Sequence, residues 1–483
     1  FIDIAGSKME KTICDLLFEK ITSHDESFLT KSSGVAHTVR EFEGVRDFFT
    51  SASMVAFIDL PFMFIFLGVI YAIAGPLAIV PILIVPLVLG VSALVQPILK
   101  RYSEKNLRTQ QTKMSTLVEL LNNVETVRTV AGGKFLHDKW NSSVETQSDA
   151  STRARSVSNF ATTFAGTGLQ ISQAAVVTYG VILVGSLQIS AGALIAVVIL
   201  SGRVLSPLVQ AGQLLTKMNH AFAAYRKIDE LMETDTHDEK TKDLTAVKLS
   251  NGEIVIKDAS YEIEDTKILD GINISIKDGE KIGLVGNIGS GKTTLLRLLI
   301  GFYHPTKGSI TISGYDLNNI PANNLRDHIG YCGQKVQLFS ASIYDNITVG
   351  CSNVSEEDVI EAAKLSCAHD FIALLPGGYN YPLIENGSNL SGGQRQAIAL
   401  ARCFIRKPKI LVLDEPTSAM DAETEQKIIN NILSLEYKPT IIISTHRTNH
   451  LAQVDKIGIL VDGKLARFDE KDNILSQQNN TKS

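Results

Sequence analysis

The chain has 483 residues, enough for two or three domains, and a formal net charge of −5. So small a charge argues against a nucleic-acid-binding protein, and five cysteines without a C-x-x-C pair are typical of a reducing compartment. Charged residues are unevenly placed. Asp59 is the only one between Asp47 and Lys100, and none lies between Arg155 and Arg203. The sequence therefore predicts a membrane part followed, from about residue 235, by a soluble part.

The membrane part comprises residues 1–232. It begins at Phe1 without an initiator Met or a signal peptide, so we expect an N-terminally truncated fragment. A spanning helix needs roughly 20 mostly apolar residues, and two apolar runs are each long enough for two such helices. Breaks at "AGP" and "GSLQISAG" divide these runs. The four predicted spans cover residues of about 50–72, 76–97, 160–184 and 190–212.

The segment 100–155 sets the orientation of these spans. It carries ten Lys or Arg and six Asp or Glu, whereas both hairpin tips lack charge. Cytoplasmic loops are enriched in Lys and Arg, so this segment is predicted to be cytoplasmic. Its polar character and helical apolar spacing predict two long helices joined near 129–135. Residues 1–47 are predicted to be similar, with a turn near 24–34.

A polar linker, 233–250, precedes a predicted domain at 251–483. There a strand leads into "GNIGSGKTT" and then into a helix, which is the context that a phosphate-binding loop requires. Glycines let backbone N–H groups wrap the phosphates, the lysine pairs with the β- and γ-phosphates, and the following threonine reaches Mg²⁺. The predicted ATP-binding residues of this loop are Gly286, Asn287, Gly289, Ser290, Gly291, Lys292, Thr293 and Thr294.

Two further strands end in polar residues. "ILVL" is followed by Asp414 and Glu415, and an acid at the tip of a buried strand suits a Mg²⁺ ligand. Glu415 is then placed to polarise an attacking water. The strand predicted over 439–446 ends in His446, at the edge where such folds bind ligands.

A second candidate phosphate-binding loop is "LSGGQ", formed by Leu390, Ser391, Gly392, Gly393 and Gln394. A strongly helical stretch follows, so the serine and glycines lie at a helix N-terminus, which suits an anion. Because the first loop already holds one side of a nucleotide, the simplest use of the second is to cover the other side from another copy. This predicts a homodimer with ATP in its interface.

Together these elements resemble the ATP-binding cassette (ABC) family over about 254–475. The resemblance adds a glutamine loop with Gln334, a D-loop with Asp421, and a switch histidine at His446. It implies a head-to-tail dimer with two ATP molecules, catalytic roles for Glu415, His446 and Gln334, and Mg²⁺ held by Thr293, Gln334 and Asp414. The aromatic residue that usually stacks on adenine is replaced by Ile263. Tyr261, two residues earlier, could substitute.

The membrane part resembles an exporter transmembrane domain fused ahead of its cassette, with the last four of six spans present. The stretches "REFEGVRDFFTSAS", "FIDLPFMFIF", "VILSGRVLSPL" and "STHRTN" look most like the type I secretion subgroup. This implies a multi-pass protein of the bacterial inner membrane with its cassette in the cytoplasm. It also implies a periplasmic adaptor, an outer-membrane channel and a large secreted polypeptide such as an RTX-like adhesin or toxin.

The predicted fold class is thus a membrane α-helical bundle, a partial ABC exporter type I transmembrane domain, followed by an α/β P-loop NTPase domain with an ABC signature. The predicted activity is ATP hydrolysis coupled to transport. The alternatives are a small peptide or bacteriocin, or a lipid, as cargo of the same architecture. A cassette that rearranges nucleic acid is disfavoured by the hydrophobic half and the absence of basic patches.

Overall fold

The computed structural model describes residues 2–23, 52–130, 132–233, 247–263, 266–445 and 447–480. His446, the predicted turn at 24–34 and most of the predicted linker lie outside these ranges. The chain forms two compact units, Phe1–Asp235 and Thr236–Ser483.

The described part of the first unit is helical. Its α-helices are α1 (Ile2–Ser23), α2 (Ala52–Ala74), α3 (Ile79–Asn122), α4 (Val124–Thr129), α5 (Gly133–Gly185) and α6 (Ala191–Glu233). A 3₁₀ turn, Gly75–Ala78, joins α2 to α3 with Gly75 at a φ of +45°. Prolines occur inside α2 and α3, as is common in helices that pack in a bundle within a membrane.

Apolar side chains lie on both the inside and the outside of these helices. Met63, Ile70, Val176 and Val204 are buried in a shared core, whereas Leu83, like many other large apolar residues, is largely exposed. Such an all-round apolar surface is typical of helices in lipid.

Two helical stretches among the described residues, 61–122 and 133–185, are long and apolar enough to cross a membrane, and a shorter apolar helix covers Ala191–Ser206. The four predicted spans lie on α2, α3, α5 and α6. The first two fall within one stretch because the 3₁₀ turn carries the helix on from α2 to α3.

The second unit contains two sheets. Its strands are β1 (Ile254–Ile263), β2 (Thr266–Ile276), β3 (Lys281–Gly286), β4 (Lys307–Ile312), β5 (Tyr315–Asp316), β6 (Ile329–Cys332), β7 (Ile410–Asp414), β8 (Thr440–Ser444), β9 (Lys456–Val461) and β10 (Lys464–Glu470). Its α-helices are α7 (Lys292–Leu299), α8 (Ala322–His328), α9 (Ile343–Thr348), α10 (Glu356–Leu365), α11 (His369–Leu374), α12 (Gly392–Phe404), α13 (Ala422–Leu433), α14 (Thr448–Leu451) and α15 (Lys471–Asn480).

The larger sheet has the strand order β10-β9-β3-β8-β7-β6. The pairs from β9 to β6 are parallel, and β10 pairs antiparallel with β9. Every residue of β7 and β8 is buried, as expected for central parallel strands covered on both faces. Because carboxyl ends of parallel strands share one edge, β3, β7 and β8 bring their following loops together there. The strand predicted to reach His446 ends at Ser444.

The smaller sheet is antiparallel, in the order β2-β1-β4-β5. Its buried side chains share a core with Leu295 and Leu299 of α7 and with Ile282 of β3. A second core joins α9, α10 and α12 to the other face of β7 and β8. The larger sheet is therefore covered by two separate cores, one on each face.

Candidate active site

The predicted phosphate-binding loop links β3 to α7 and needs its glycines. Gly289 and Gly291 have φ of +81° and +97°, which side chains rarely adopt. A Cβ on Gly286 would overlap the Leu460 carbonyl oxygen, and one on Gly291 would lie 2.7 Å from Leu269 Cδ2. The backbone can therefore curve around a bound group only with glycine at these positions.

Lys292 turns into the hollow of this loop. Its residue is 8% exposed, and its Nζ donates to the carbonyl oxygens of Gly286, at 2.6 Å, and of Asn287, at 3.1 Å. The Ser290 hydroxyl is buried beside it with no hydrogen-bond partner among the described residues. Among the described residues this cation contacts neutral carbonyl oxygens and lies beside an unpaired hydroxyl, an arrangement suited to binding phosphate oxygens.

Asp414, at the end of β7, is almost fully buried and accepts two hydrogen bonds. Thr293 Oγ1 donates to its Oδ2 at 2.8 Å, and Ser444 Oγ donates to its Oδ1 at 2.5 Å. Thr293 lies in the first turn of α7 and Ser444 ends β8, so three elements converge on one carboxylate. A hydroxyl and a carboxylate in contact are oxygen ligands of the kind that Mg²⁺ prefers.

Glu415 follows β7 in a left-handed conformation, with a φ of +51°. Its N–H donates to Ser444 Oγ at 3.1 Å, and its carbonyl oxygen accepts from Gln396 Nε2 at 3.0 Å. Gln334, just after β6, donates from Nε2 to Glu415 Oε2 at 3.1 Å. Strained backbone of this kind is concentrated at functional sites, and here it aims the carboxylate beside the Asp414 cluster.

The "LSGGQ" loop caps α12. Ser391 Oγ accepts from the Gln394 N–H at 3.3 Å, and Gln394 Oε1 accepts from the Ser391 N–H at 2.9 Å, which is a capping box. Because Ser391 Oγ is an acceptor in this contact and is exposed, its hydroxyl hydrogen can be donated to an anion. Leu390 is buried and anchors the loop.

The glycines of this loop pack against the segment after Glu415. A Cβ on Gly392 would lie 3.3 Å from Ala419 Cβ, and one on Gly393 would lie 3.1 Å from the Ala419 carbonyl oxygen. The predicted D-loop residue Asp421 caps α13, where its Oδ1 accepts from the N–H groups of Thr424 and Glu423. These bonds, led by that from Thr424, lower the pKa of Asp421.

The two candidates for the adenine contact differ in exposure. Tyr261 is 9% exposed and stacks on Tyr303, with ring centroids 5.0 Å apart. Ile263 is 36% exposed. Ile263 is thus the more accessible of the two, while Tyr261 packs in the core of the smaller sheet. The predicted switch residue, His446, lies outside the described residues.

Four predicted site residues among those described lie in one hydrogen-bonded system. Thr293, Asp414, Glu415 and Gln334 are grouped at one edge by these bonds, and Lys292 lies one residue from Thr293. The glycine cradle fits a row of phosphates, and the oxygen donors fit Mg²⁺. The described residues include no group of three or more His, Cys, Asp or Glu side chains arranged to hold a metal ion by themselves. In nucleotide sites Mg²⁺ is usually held by one or two carboxylates together with phosphates and water.

Sequence reasoning missed Ser444 and Gln396. Ser444 bonds both Asp414 and Glu415, and its signal was a polar residue ending an otherwise apolar strand paired with β7. Gln396 is 2% exposed on the buried face of α12. A glutamine in a run of alanine and isoleucine is the only trace of it in the sequence.

Known protein families match parts of both compact units. A family model described as the ABC transporter transmembrane region matches residues 1–208, and one described as ABC transporter matches 269–418. The toxin RTX-III translocation ATP-binding protein of Actinobacillus pleuropneumoniae is 34% identical over 447 residues, covering 91% of this chain and 62% of that protein. The alpha-hemolysin translocation ATP-binding protein HlyB of Escherichia coli is 34% identical over 445 residues, with the same coverage.

A solved structure has the same fold. It is described as a bacterial Atm1-family ABC exporter with ATP bound, and it matches with a TM-score of 0.89 at 23% identity, covering 99% of this chain and 84% of that one. The fold of the chain is that of an ABC exporter. The chain spans about 62% of the length of the curated relatives it matches.

Proposed function

Because the chain belongs to the ABC transporter family, with a transmembrane region and an ATP-binding domain in one polypeptide, we propose that it drives type I secretion of a large polypeptide. In this proposal it acts as a homodimer in the bacterial inner membrane, with its second unit in the cytoplasm. The observation that carries the proposal is the similarity, over 91% of the chain, to proteins named for translocating RTX toxin and hemolysin.

The proposed substrate of the second unit is ATP. Lys292 would leave the carbonyl oxygens of Gly286 and Asn287 for the β- and γ-phosphates, whose stronger negative charge outcompetes neutral carbonyls. N–H groups of the loop and of the first turn of α7 would complete the cradle. Either Ile263 or Tyr261 would contact the adenine.

Asp414, Thr293 and Gln334 would hold the metal. When bound, Mg²⁺ neutralises charge on the β- and γ-phosphates as the terminal bond breaks. Ser444 fixes the Asp414 carboxylate by donating to Oδ1. Oδ2, which accepts from the Thr293 hydroxyl, is the oxygen nearer the phosphate-binding loop.

Glu415 would orient the attacking water, with Gln334 and His446 completing the group. Gln334 already donates to the Glu415 carboxylate, so that carboxylate is held at the edge of the sheet beside Asp414. A water placed between Glu415 and the terminal phosphate would be polarised for in-line attack.

In the proposed dimer, Ser391 of one subunit would donate to the γ-phosphate held by the other. The hydroxyl is exposed and its lone pair is used within the capping box, so a donor remains for the partner's nucleotide. ATP would then be bound from both sides only when the second units of the two subunits meet. Hydrolysis would remove that contact, and this difference in affinity between closed and open states would drive the export cycle.

The experiment for the enzymatic part compares Glu415→Gln with wild-type full-length protein in nanodiscs. Turnover of ATP is expected to fall by at least about a hundredfold, while ATP binding is retained and a closed dimer accumulates. Glu436→Gln, an exposed glutamate that precedes the end of β8 opposite Ser444, is the matched control. If Glu415→Gln hydrolyses ATP at the wild-type rate, Glu415 does not orient the water.

Cargo is tested separately in cells that contain the full-length protein, an adaptor, an outer-membrane channel and a repeat-rich polypeptide encoded beside them. We expect the polypeptide in the medium with the wild type and not with Lys292→Ala. Export of a lipid or a small peptide instead, with the polypeptide retained in the cell, would assign the protein to the other cargo class.

A further inference from the structure

A buried glutamine connects the "LSGGQ" helix to the backbone of Glu415. Gln396 lies on α12, five residues after Ser391, and is 2% exposed. Its Nε2 donates to the Glu415 carbonyl oxygen at 3.0 Å and to Ser418 Oγ at 3.3 Å, and its Oε1 accepts from the Ala419 N–H at 3.1 Å. Each hydrogen-bonding atom of this amide thus has a partner in one short segment, 415–419.

This amide helps to hold a strained backbone, in which the Glu415 carbonyl oxygen also accepts from the Ser418 N–H at 3.2 Å. Glu415 has a φ of +51°, and its N–H is held on the other side by Ser444. The backbone of Glu415 is therefore anchored first by Ser444 in the central sheet and second by Gln396 on α12, while Gln334 contacts its carboxylate directly. A shift of α12 moves the second anchor and leaves the first in place.

The first turn of α12 and the segment after Glu415 also touch directly. A Cβ on Gly392 or Gly393 would be in tight contact with Ala419, so displacement of Ser391 is passed on to the same segment. Gln396 and this glycine contact act together over one and a half turns of helix.

We propose that Gln396 is a positioning residue that makes the orientation of Glu415 depend on where Ser391 lies. This inference rests on the proposed function, in which Ser391 binds the nucleotide of the partner subunit and Glu415 acts on the nucleotide of its own. Gln396 then carries occupancy of one site to the catalytic carboxylate of the other. A substitution that removes its amide uncouples the two sites while each still binds ATP.

The test measures steady-state ATP hydrolysis by the full-length protein, as kcat, KM and the Hill coefficient for ATP. Gln396→Met keeps the unbranched shape and removes the three hydrogen bonds. We expect kcat to fall by about ten- to a hundredfold with KM changed by less than about threefold, since small misplacement of a catalytic group has effects of that size. The proposed dimer has two ATP sites, so the wild-type Hill coefficient should lie between one and two. We expect it to fall to about one in Gln396→Met.

Gln426→Met on α13 is the control, because that glutamine bonds only the exposed Asn430 side chain among the contacts described for it. Ser418→Ala provides a milder variant. Ser418 is exposed, so the protein folds without its hydroxyl, and removal of one of the three bonds is expected to lower kcat by about two- to tenfold.

Binding of a fluorescent ATP analogue and the melting temperature are measured for each variant. A role in stability alone would lower the melting temperature and the active fraction while leaving the Hill coefficient of the remaining protein at the wild-type value, and that result would overturn the inference. An unchanged kcat in Gln396→Met would overturn it as well. Failure of the proposed function is seen independently, as ATP turnover that survives Glu415→Gln.

Discussion

Glu425, on α13, is expected to hold together the segments on either side of the catalytic edge. Its side chain is 5% exposed and pairs with Arg447 through Oε2. Its Oε1 accepts from Thr417 Oγ1 at 2.9 Å and lies 3.3 Å from His450 Nε2. Thr417 follows Glu415 by two residues, and Arg447 and His450 follow β8. We therefore expect Glu425→Gln to loosen the chain after β8.

The size of the effect follows from these contacts. Loss of one partner of a fully buried ion pair costs about 3–5 kcal/mol. Half of the Arg447 side chain is exposed and can turn to water, so this figure is an upper limit. The substituted amide would keep an acceptor for Thr417 but lose the charge-assisted bonds, which are worth about 1.5–3 kcal/mol. Local opening should therefore become about 10- to 150-fold more frequent.

Amide hydrogen exchange of the full-length protein, followed by mass spectrometry, measures this opening without requiring global two-state unfolding. The amides to follow are those of Thr445, Arg447 and His450, which donate to Leu284 O, Thr445 Oγ1 and Arg447 O. Glu423→Gln is the control. It lies on the same helix with a 79% exposed side chain paired to Lys427, an arrangement worth about 0.3–0.5 kcal/mol. Equal exchange in the two variants would refute the reasoning.

Three further predictions concern stability and activity. Gly291→Ala should be destabilised twice, by about 1–2 kcal/mol from its left-handed backbone and by about 1–3 kcal/mol from overlap with Leu269. Gly289→Ala has only the backbone cost, so the melting temperature of Gly291→Ala should be the lower of the two. Ser444→Ala removes one of the two hydroxyls that donate to the buried Asp414 carboxylate, and should lower stability by about 1–3 kcal/mol and also lower ATP turnover. Ser434→Ala, at an exposed helix end, should change neither stability nor turnover. Burial lowers the pKa of His450 below its usual 6.5, so the unfolded chain binds this proton at a higher pH than the folded chain does. The contribution of His450 to stability is therefore complete above pH 6.5 and is lost as the pH falls. In His450→Gln the melting temperature should depend less on pH between about 7.5 and 5.5.

The sequence predicted those parts of the site that depend on order along the chain. A strand, a glycine loop and a helix follow one another in β3 and α7, and Asp414 ends a strand as predicted from its apolar run. The described helices α2, α3, α5 and α6 carry the stretches predicted to span the membrane. In each case the signal is local, because hydrophobic periodicity and strand ends need no knowledge of distant neighbours.

The residues that brace the site gave no such signal. Ser444, Gln396 and Glu425 are polar residues at buried positions, and each bonds a residue that is distant in the sequence. The separations are 30 residues from Ser444 to Asp414, 19 from Gln396 to Glu415 and 8 from Glu425 to Thr417. A buried polar residue can be recognised as a brace only when the partner that satisfies it is known. The strand ending at Ser444 rather than at His446 has the same origin, since pairing with Asp414 sets its last residue.

Substitutions in the phosphate-binding loop and substitutions in the residues that hold Glu415 should have different kinetic effects. The Glu415 N–H is bound from β8 and its carbonyl oxygen from α12, so buried side chains brace its left-handed backbone, a conformation costing about 1–3 kcal/mol. Changes in Gly291 or Lys292 alter the cradle in which phosphates would lie, and so should act mainly on KM. Changes in Gln396 leave that cradle intact and turn the Glu415 carboxylate, and so should act mainly on kcat, because the orientation of Glu415 matters only once the water attacks.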